Sequence, residues 1–240
     1  SIGWQELAAI PAPTAKPVNP DLGPVSTGVG VLGMPGMTAY FGLLEVLKPR
    51  AGDTLVVSAA SGAVGAVVGQ IGKINGCNVS GVAGSDEKCE YTVNELGFNS
   101  AINYKTQDVS AELARLAPNG VDCYFDNVGG PVTDAVFDNL ALKARIAICG
   151  QISQYNAATP AQGPRNLSVL TRNRATVEGF LVYDFELQHE IARARIANWI
   201  KDGQIKYKED VVDGFENAPE AFIGLLNGKN FGKLLIKVSE

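Results

Sequence analysis

Five short apolar runs, separated by four stretches of helical character, fill the centre of this chain. The runs are Thr54–Ala59, Asn78–Gly84, Ser100–Tyr104, Val121–Asn127 and Arg145–Gly150. Between them lie predicted helices over Gly62–Gly76, Asp86–Gly97, Gln107–Ala117 and Pro131–Lys143. Continuous apolar strands alternating with helices need a parallel sheet covered on both faces. The predicted fold class is therefore α/β, a doubly wound parallel sheet with ligands at the carboxyl ends of its strands. At 240 residues the chain holds one large domain, or one domain and part of another.

The pattern changes after residue 150. Asn156–Asn166 reads as a loop, Thr176–Asp184 as a strand and Glu186–Lys201 as a long helix. A strand over Ile205–Val212, a helix over Ala218–Asn227 and a strand over Lys233–Val238 follow. Five of the twelve prolines fall in residues 11–25, which predicts an irregular lead-in. Leu55–Ile74 is apolar and contains Gly65-x-x-x-Gly69, a pattern also seen in membrane helices. Ser58, Ser61, Gln70 and Lys73 interrupt it, and a strand, turn and helix explain it better.

A net charge of −5, with no run of like charge, argues against nucleic acid and anionic membranes as partners. No C-x-x-C pair occurs among Cys77, Cys89, Cys123 and Cys149, so no zinc cluster or redox motif is written and no metal is predicted. Cysteines beside apolar runs read as small buried hydrophobes. Ser1–Ile10 has no signal-peptide pattern, and the expected compartment is the reducing cytoplasm. The single histidine, His189, lies in a polar helical stretch and reads as a surface residue.

The first apolar run leads directly into Ala60-Ser-Gly-Ala-Val-Gly65. Read as G-x-G-x-x-G, this turn has Ala60 at the first position, Gly62 at the second and Gly65 at the third. The second glycine lets a pyrophosphate approach the backbone, and the third lets the helix pack on the sheet. N–H groups at the helix start receive the negative charge. Gly62, Gly65, Gly69, Gly72 and Gly76 recur at helical spacing as a bare stripe. Interior glycines cost about 1 kcal/mol each against Ala, so close packing is expected there. At the end of the second strand, Ala83-Gly-Ser85 replaces the acid that would hold both ribose hydroxyls of NAD. Lys88, with Tyr104 and Lys105 beyond the third strand, favours NADP(H).

Together these and other segments resemble the zinc-independent branch of the medium-chain dehydrogenase/reductase superfamily. Within it the chain resembles the leukotriene B4 12-hydroxydehydrogenase/prostaglandin reductase group and its curcumin-reductase-like relatives. The segments are Gly33-Met-Pro-Gly-Met-Thr-Ala-Tyr40, Ala59-Ala-Ser-Gly-Ala-Val-Gly65, Gly84-Ser-Asp-Glu-Lys88, Asn103-Tyr-Lys105, Tyr124-Phe-Asp-Asn-Val-Gly-Gly130, Cys149-Gly-Gln-Ile-Ser-Gln-Tyr-Asn156 and Asn230-Phe-Gly-Lys233. The resemblance implies a Rossmann domain with the remnant of a GroES-like substrate domain. It divides the chain into 1–30, the end of an N-terminal part and lead-in; 31–203, the NADP-binding domain; and 204–240, the return into the substrate domain. It also implies roughly a hundred further residues ahead of the aligned start, an ordinary size for such a domain. Only that domain's end near Ile2–Leu7 and its return from about Ile205 are expected here.

By the same resemblance, NADPH-dependent reduction of the C=C bond of α,β-unsaturated ketones and aldehydes is the expected activity. Gly62, Ala63 and Val64 are implied to line the pyrophosphate, and Gly84, Lys88 and Tyr104 the 2′-phosphate. Asn127 is implied near the ribose, and Cys149, Ile152, Ser153 and Tyr155 beside the active site. Phe180, Leu181 and Val182 would run past the nicotinamide, Asn230 and Gly232 close over it, and Met34, Pro35 and Thr38 line the same cleft. Tyr155 is the candidate catalytic donor to the oxygen on which charge builds, with packing against the nicotinamide as the alternative. The other readings are a non-catalytic NADP-binding module and a quinone oxidoreductase of the same superfamily. None of the seven tyrosines has a lysine four residues on, which argues against a short-chain dehydrogenase. An apolar edge strand over 176–184 needs cover, so a homodimer through it is expected.

Overall fold

A computed structural model describes residues 3–238. Six strands form one parallel sheet: β1 (Thr54–Ser58), β2 (Asn78–Ala83), β3 (Ser100–Asn103), β4 (Val121–Asp126), β5 (Leu140–Ile148) and β6 (Thr176–Gly179). Their spatial order is β3-β2-β1-β4-β5-β6. This is the Rossmann order, with its switch point between β1 and β4. Alternation along the strands separates two apolar layers. Leu55, Val57, Val79, Cys123 and Phe125 face one core, which also takes in buried residues of α1 (Met34–Phe41), α2 (Gly65–Ile74) and α7 (His189–Lys201). Val56, Val82, Ile102, Tyr124 and Ile146 face the other, with residues of α4 (Val109–Leu116), α5 (Gly130–Phe137) and α6 (Ser168–Asn173). The remaining helices are α3 (Asp86–Asn94) and α8 (Ala218–Leu226).

Gly65, Gly69 and Gly72 have the packing role expected of the glycine stripe, whereas Gly62 and Gly76 lie outside the helix. A Cβ at Gly72 would lie 2.6 Å from Leu55 Cδ2, and one at Gly69 would overlap the Phe98 ring. α2 begins at Gly65, three residues later than expected, because residues 60–64 form the turn itself.

Among the other boundary shifts, three have a clear cause in the packing. α5 stops at Phe137, where Asn139 Nδ2 donates to Ala135 O at 2.9 Å. The chain then enters β5 at Leu140, and the left-handed Lys143 (φ 60°) accompanies a register shift against β4. The predicted helix over 131–143 and strand over 145–150 thus divide differently. β6 ends at Gly179, short of the expected Asp184, because the chain then turns inward. Phe180 packs edge-on to Phe125, and Val182 is buried. β7 is Glu209–Asp213, later than the expected Ile205–Val212. Lys206 is instead taken up by the buried Gln70 of α2: its N–H donates to Oε1 at 2.7 Å, and its carbonyl accepts from Nε2 at 2.8 Å.

β7 pairs in parallel with β8 (Lys233–Lys237), with α8 as the crossover. A parallel bridge between Gly62 and Gly232 joins this unit to the glycine turn. His189 is half-buried, stacked near Phe41 and bonded to Val182 O at 3.0 Å, which corrects its reading as a surface residue. Cys77 and Cys123 are buried as expected, while Cys89 and Cys149 are only partly so. No described helix is long and apolar enough to cross a membrane. Of the predicted remnant over residues 2–7, Ile2 lies outside the described residues.

Candidate active site

The carboxyl ends of β1, β2, β4 and β5 open into one cleft of about 980 Å³. Its opposite wall is apolar and comes from Phe222, Leu225 and Leu226 of α8, Leu234 and Ile236 of β8, and Trp4. Trp4 meets Phe222 edge to face, with ring centroids 5.4 Å apart.

The glycine turn forms the floor. Ala59 takes a left-handed conformation (φ 49°), and its carbonyl accepts from Gly62 N at 2.9 Å. Ala60 N donates to Val82 O at 3.1 Å and ties the turn to β2. α2 has Val64 as its N-cap and receives no side-chain cap. Ala66 N and Val67 N are already taken by Gly62 O and Val64 O, at 3.0 and 3.1 Å, so the N–H groups just ahead of them and the positive dipole end are what suit an anion. A Cβ added at Gly62 would meet only Ala59 O, at 3.1 Å, so the rest of that space belongs to the cleft.

One end of the cleft is cationic. Lys88 and Lys105 line it beside Tyr104. Ser85 caps α3 by accepting from Lys88 N at 3.3 Å. The acid beyond β2, Asp86, accepts from Asn103 Nδ2 at 2.7 Å, so one of its oxygens is already engaged. Gly84 and Tyr104 pack closely: a Cβ at Gly84 would come 3.0 Å from the Tyr104 ring. Lys88 Nζ donates to Gly228 O across the cleft at 2.6 Å. Burial first, and then the charge of Lys105, push the Lys88 ammonium below its usual pKa.

At the other end, two loops lie together. Asn127 N donates to Ser58 Oγ, and Asn127 Nδ2 to Ser58 O, both at 2.8 Å. Ser153 Oγ donates to Val128 O at 2.6 Å. Tyr155 is largely exposed (65%), and its hydroxyl oxygen accepts from Gln151 N at 3.2 Å. A phenol that accepts in this way keeps its own proton for an acceptor in the cleft. Burial, with Asp126 nearby, pushes the Cys149 thiol up to about 12. Asn230 Nδ2 donates to Gly232 O at 2.9 Å, and Gly232 (φ 79°) sits where a side chain would overlap Lys208 O.

Of the residues predicted for the site, the cleft brings together Gly62, Ala63, Val64, Gly84, Lys88, Tyr104, Asn127, Cys149, Ile152, Ser153, Tyr155, Asn230 and Gly232. Met34, Pro35, Thr38, Phe180, Leu181 and Val182 are not among its lining residues. Thr38 bonds Met34 O, and Tyr183 reaches the Met34 sulfur at 3.8 Å. Phe180 fills the space left by Gly42. Sequence reading missed Ser58, Trp4 and the α8 wall. Phe222, Leu225 and Leu226 do show helical apolar spacing, whereas the approach of Trp4 is a long-range contact with no local signal. Among the described residues, no group of three or more His, Cys, Asp or Glu side chains is placed to hold a metal ion.

Comparison with known proteins adds to this picture. Residues 63–198 match the family described as zinc-binding dehydrogenase. The chain is 47% identical to the NADPH-dependent curcumin reductase of Escherichia coli, over 89% of this chain and 64% of that protein. It is 47% identical to the 2-alkenal reductase (NADP⁺-dependent) of Nicotiana tabacum, over 99% of this chain and 69% of that one. The crystal structure of CurA from Vibrio vulnificus in complex with NADPH superimposes with a TM-score of 0.86 at 48% identity, covering 90% of this chain and 65% of CurA. The chain spans about two thirds of the length of these relatives.

Proposed function

This chain belongs to the zinc-binding dehydrogenase family, and on that premise we propose that it is an NADPH-dependent reductase of the C=C bond of α,β-unsaturated ketones and aldehydes. The observation that carries this reading is one cleft combining an uncapped helix start, a cationic end and an exposed phenol. Bound along the strand ends, NADPH supplies the hydride.

Gly62, Ala63 and Val64 hold the pyrophosphate, and Lys88 with Tyr104 holds the 2′-phosphate. Asn127, fixed by two bonds to Ser58, positions the ribose end. Cys149 and Ser153 border the nicotinamide. The substrate's β-carbon accepts the hydride, and its π electrons move to the carbonyl oxygen. Tyr155 donates to that oxygen as charge builds there, which lowers the barrier. The α-carbon takes a proton from water, and the product is the saturated carbonyl compound. Met34, Pro35, Thr38, Phe180, Leu181 and Val182 are assigned beside the nicotinamide by the family resemblance alone, since none of them lines the cleft.

The family's name implies zinc, but the described residues do not fit it. The cysteines form no cluster, and burial raises the Cys77 thiol to about 11 and Cys149 to about 12, away from the thiolate a zinc ion needs. No step here uses a metal.

The change from the six-stranded sheet to the β7–β8 unit supports a division of the chain into 1–30, 31–203 and 204–240. The exposed β6, at one edge of the sheet, supports pairing with a second copy as a homodimer. Four free thiols fit the reducing cytoplasm.

The test is NADPH consumption with a straight-chain enone, and with a quinone as competitor substrate. Turnover of the enone with formation of the saturated ketone is expected. NADPH binding without turnover of either would favour a binding module.

A further inference from the structure

Asp126 ends β4 and is completely buried. Its Oδ1 accepts from Tyr124 Oη, Val128 N and Gly129 N, each at 2.9 Å, and from Ser58 Oγ at 3.3 Å. Its Oδ2 accepts from Thr133 Oγ1 at 2.7 Å. A buried carboxylate is tolerated only with such a set of donors, and bonds to an ionised acceptor are roughly twice as strong as neutral ones. Burial beside this carboxylate also pushes the Tyr124 phenol well above its usual range, so Tyr124 remains a donor.

The bonds do not stop at the carboxylate. They fix the backbone of residues 128–129, and the carbonyls of this loop hold the next one. Asp126 O accepts from Cys149 N at 2.8 Å and from Gly150 N at 3.1 Å. Asn127 O accepts from Ile152 N at 3.3 Å. Val128 O accepts from Ser153 N at 3.1 Å and from Ser153 Oγ at 2.6 Å. Gly129 and Gly130, both at positive φ, leave room for Gln151 and Gln154 to pack down on the loop. The loop carrying Tyr155 thus rests on the loop carrying Asn127, and that loop rests on one carboxylate. The uncapped start of α2 and Lys88 are held by separate contacts.

We propose that Asp126 is a positioning residue: through the 127–129 loop it fixes the 149–155 loop, and so sets the nicotinamide end of the cleft without touching the cofactor. The exchange readout below stands on the hydrogen bonds alone, and the affinity readout rests on the NADPH reading above.

Asp126→Asn is the informative change. Its amide oxygen fits the Oδ1 position with its four donors, and its NH2 donates to the Thr133 hydroxyl, so geometry is kept while charge is lost. Amide exchange at residues 128–129 and 150–153 should quicken by about tenfold, with β1 and β2 unchanged. NADPH and NADH should both bind several-fold more weakly with their affinity ratio preserved, because Lys88 lies at the far end. Thr133→Val, which removes the Oδ2 donor and a longer contact of 3.3 Å to the Tyr124 hydroxyl, should show the same pattern to a smaller degree, and it decides the matter if Asp126→Asn does not fold. Exchange unchanged in both loops would overturn the proposal. So would quickening spread evenly over the sheet, or a changed NADPH-to-NADH ratio. Failure of the unaltered chain to bind NADPH would sink the cofactor reading and leave the exchange result to judge Asp126.

Discussion

Replacing Gly62 with alanine separates cofactor binding from folding. A Cβ at this position meets a single atom, Ala59 O at 3.1 Å, so a shift of a few tenths of an ångström accommodates it. Gly62 lies outside α2 and is not among the residues at positive φ, so neither helix propensity nor backbone strain opposes the change. Loss of glycine's freedom in the unfolded chain contributes roughly 0.4–1 kcal/mol in favour of folding, offset by the tight contact. Net stability should therefore move by less than about 1 kcal/mol. The new methyl group points into the cleft, where the pyrophosphate must approach the turn. Each bond to an ionised group is worth about 1.5–3 kcal/mol. Loss of one such bond, with weakening of another, predicts about 2–3 kcal/mol, or a roughly thirty- to 150-fold weaker Kd. Gly69→Ala is the control. Alanine at this helix position gains about 1 kcal/mol of propensity, but its Cβ overlaps Phe98, and forcing that ring aside costs roughly 1–3 kcal/mol or more. It should lower the urea midpoint and leave Kd for the folded protein unchanged. NADPH fluorescence titration and urea unfolding on the same samples read both quantities. Wild-type affinity in Gly62→Ala would refute the placement of the pyrophosphate.

Lys88→Ala should reduce the NADPH-to-NADH affinity ratio about tenfold, as expected for a charge-assisted contact at a partly exposed site. Because the Lys88 pKa is lowered, that preference should fade with rising pH before an ordinary lysine would lose its charge. A ratio that does not move in the alanine variant removes Lys88 from phosphate recognition. Tyr155→Phe should lower kcat by roughly 10²-fold while sparing KM for NADPH, the size expected for one oxyanion donor, and an unchanged kcat excludes the donor role. The thiols of Cys77 and Cys149 are raised from 9.0 to about 11 and about 12. The folded state holds those protons more tightly, so their contribution is complete below pH 9 and is lost as pH climbs through the raised values. Unfolding midpoints should drop across that range and drop less in Cys77→Ala/Cys149→Ala; equal slopes would contradict the shifts.

The alternation of apolar runs and helices was legible because strands buried on both faces have no polar register to confuse them, and four of the six sheet strands were placed to within one residue at each end. The turn at 60–65 was legible because its glycines answer local needs. Boundaries set by distant partners were not. β6 is cut short by Phe180 reaching Phe125, and β7 is delayed because Gln70 claims Lys206. α1 and the wider π turn at Gly42–Leu47 after it went unpredicted, since their residues are buried on most sides and show no amphipathic stripe. Asp126 stood in the quoted motif, but a single acid at the end of an apolar strand does not announce its donors. Those come from residues 58 to 133, which only the fold assembles.

The pairing of Gln70 with Lys206 gives α2 a mechanical part. The helix whose first residue lines the cleft also grips the returning limb at its middle, and Gly62 meets Gly232 just ahead of it. The β7–β8 wall and the glycine turn are thus tied to one rod, and breaking the Gln70–Lys206 pair unties them at one of two points.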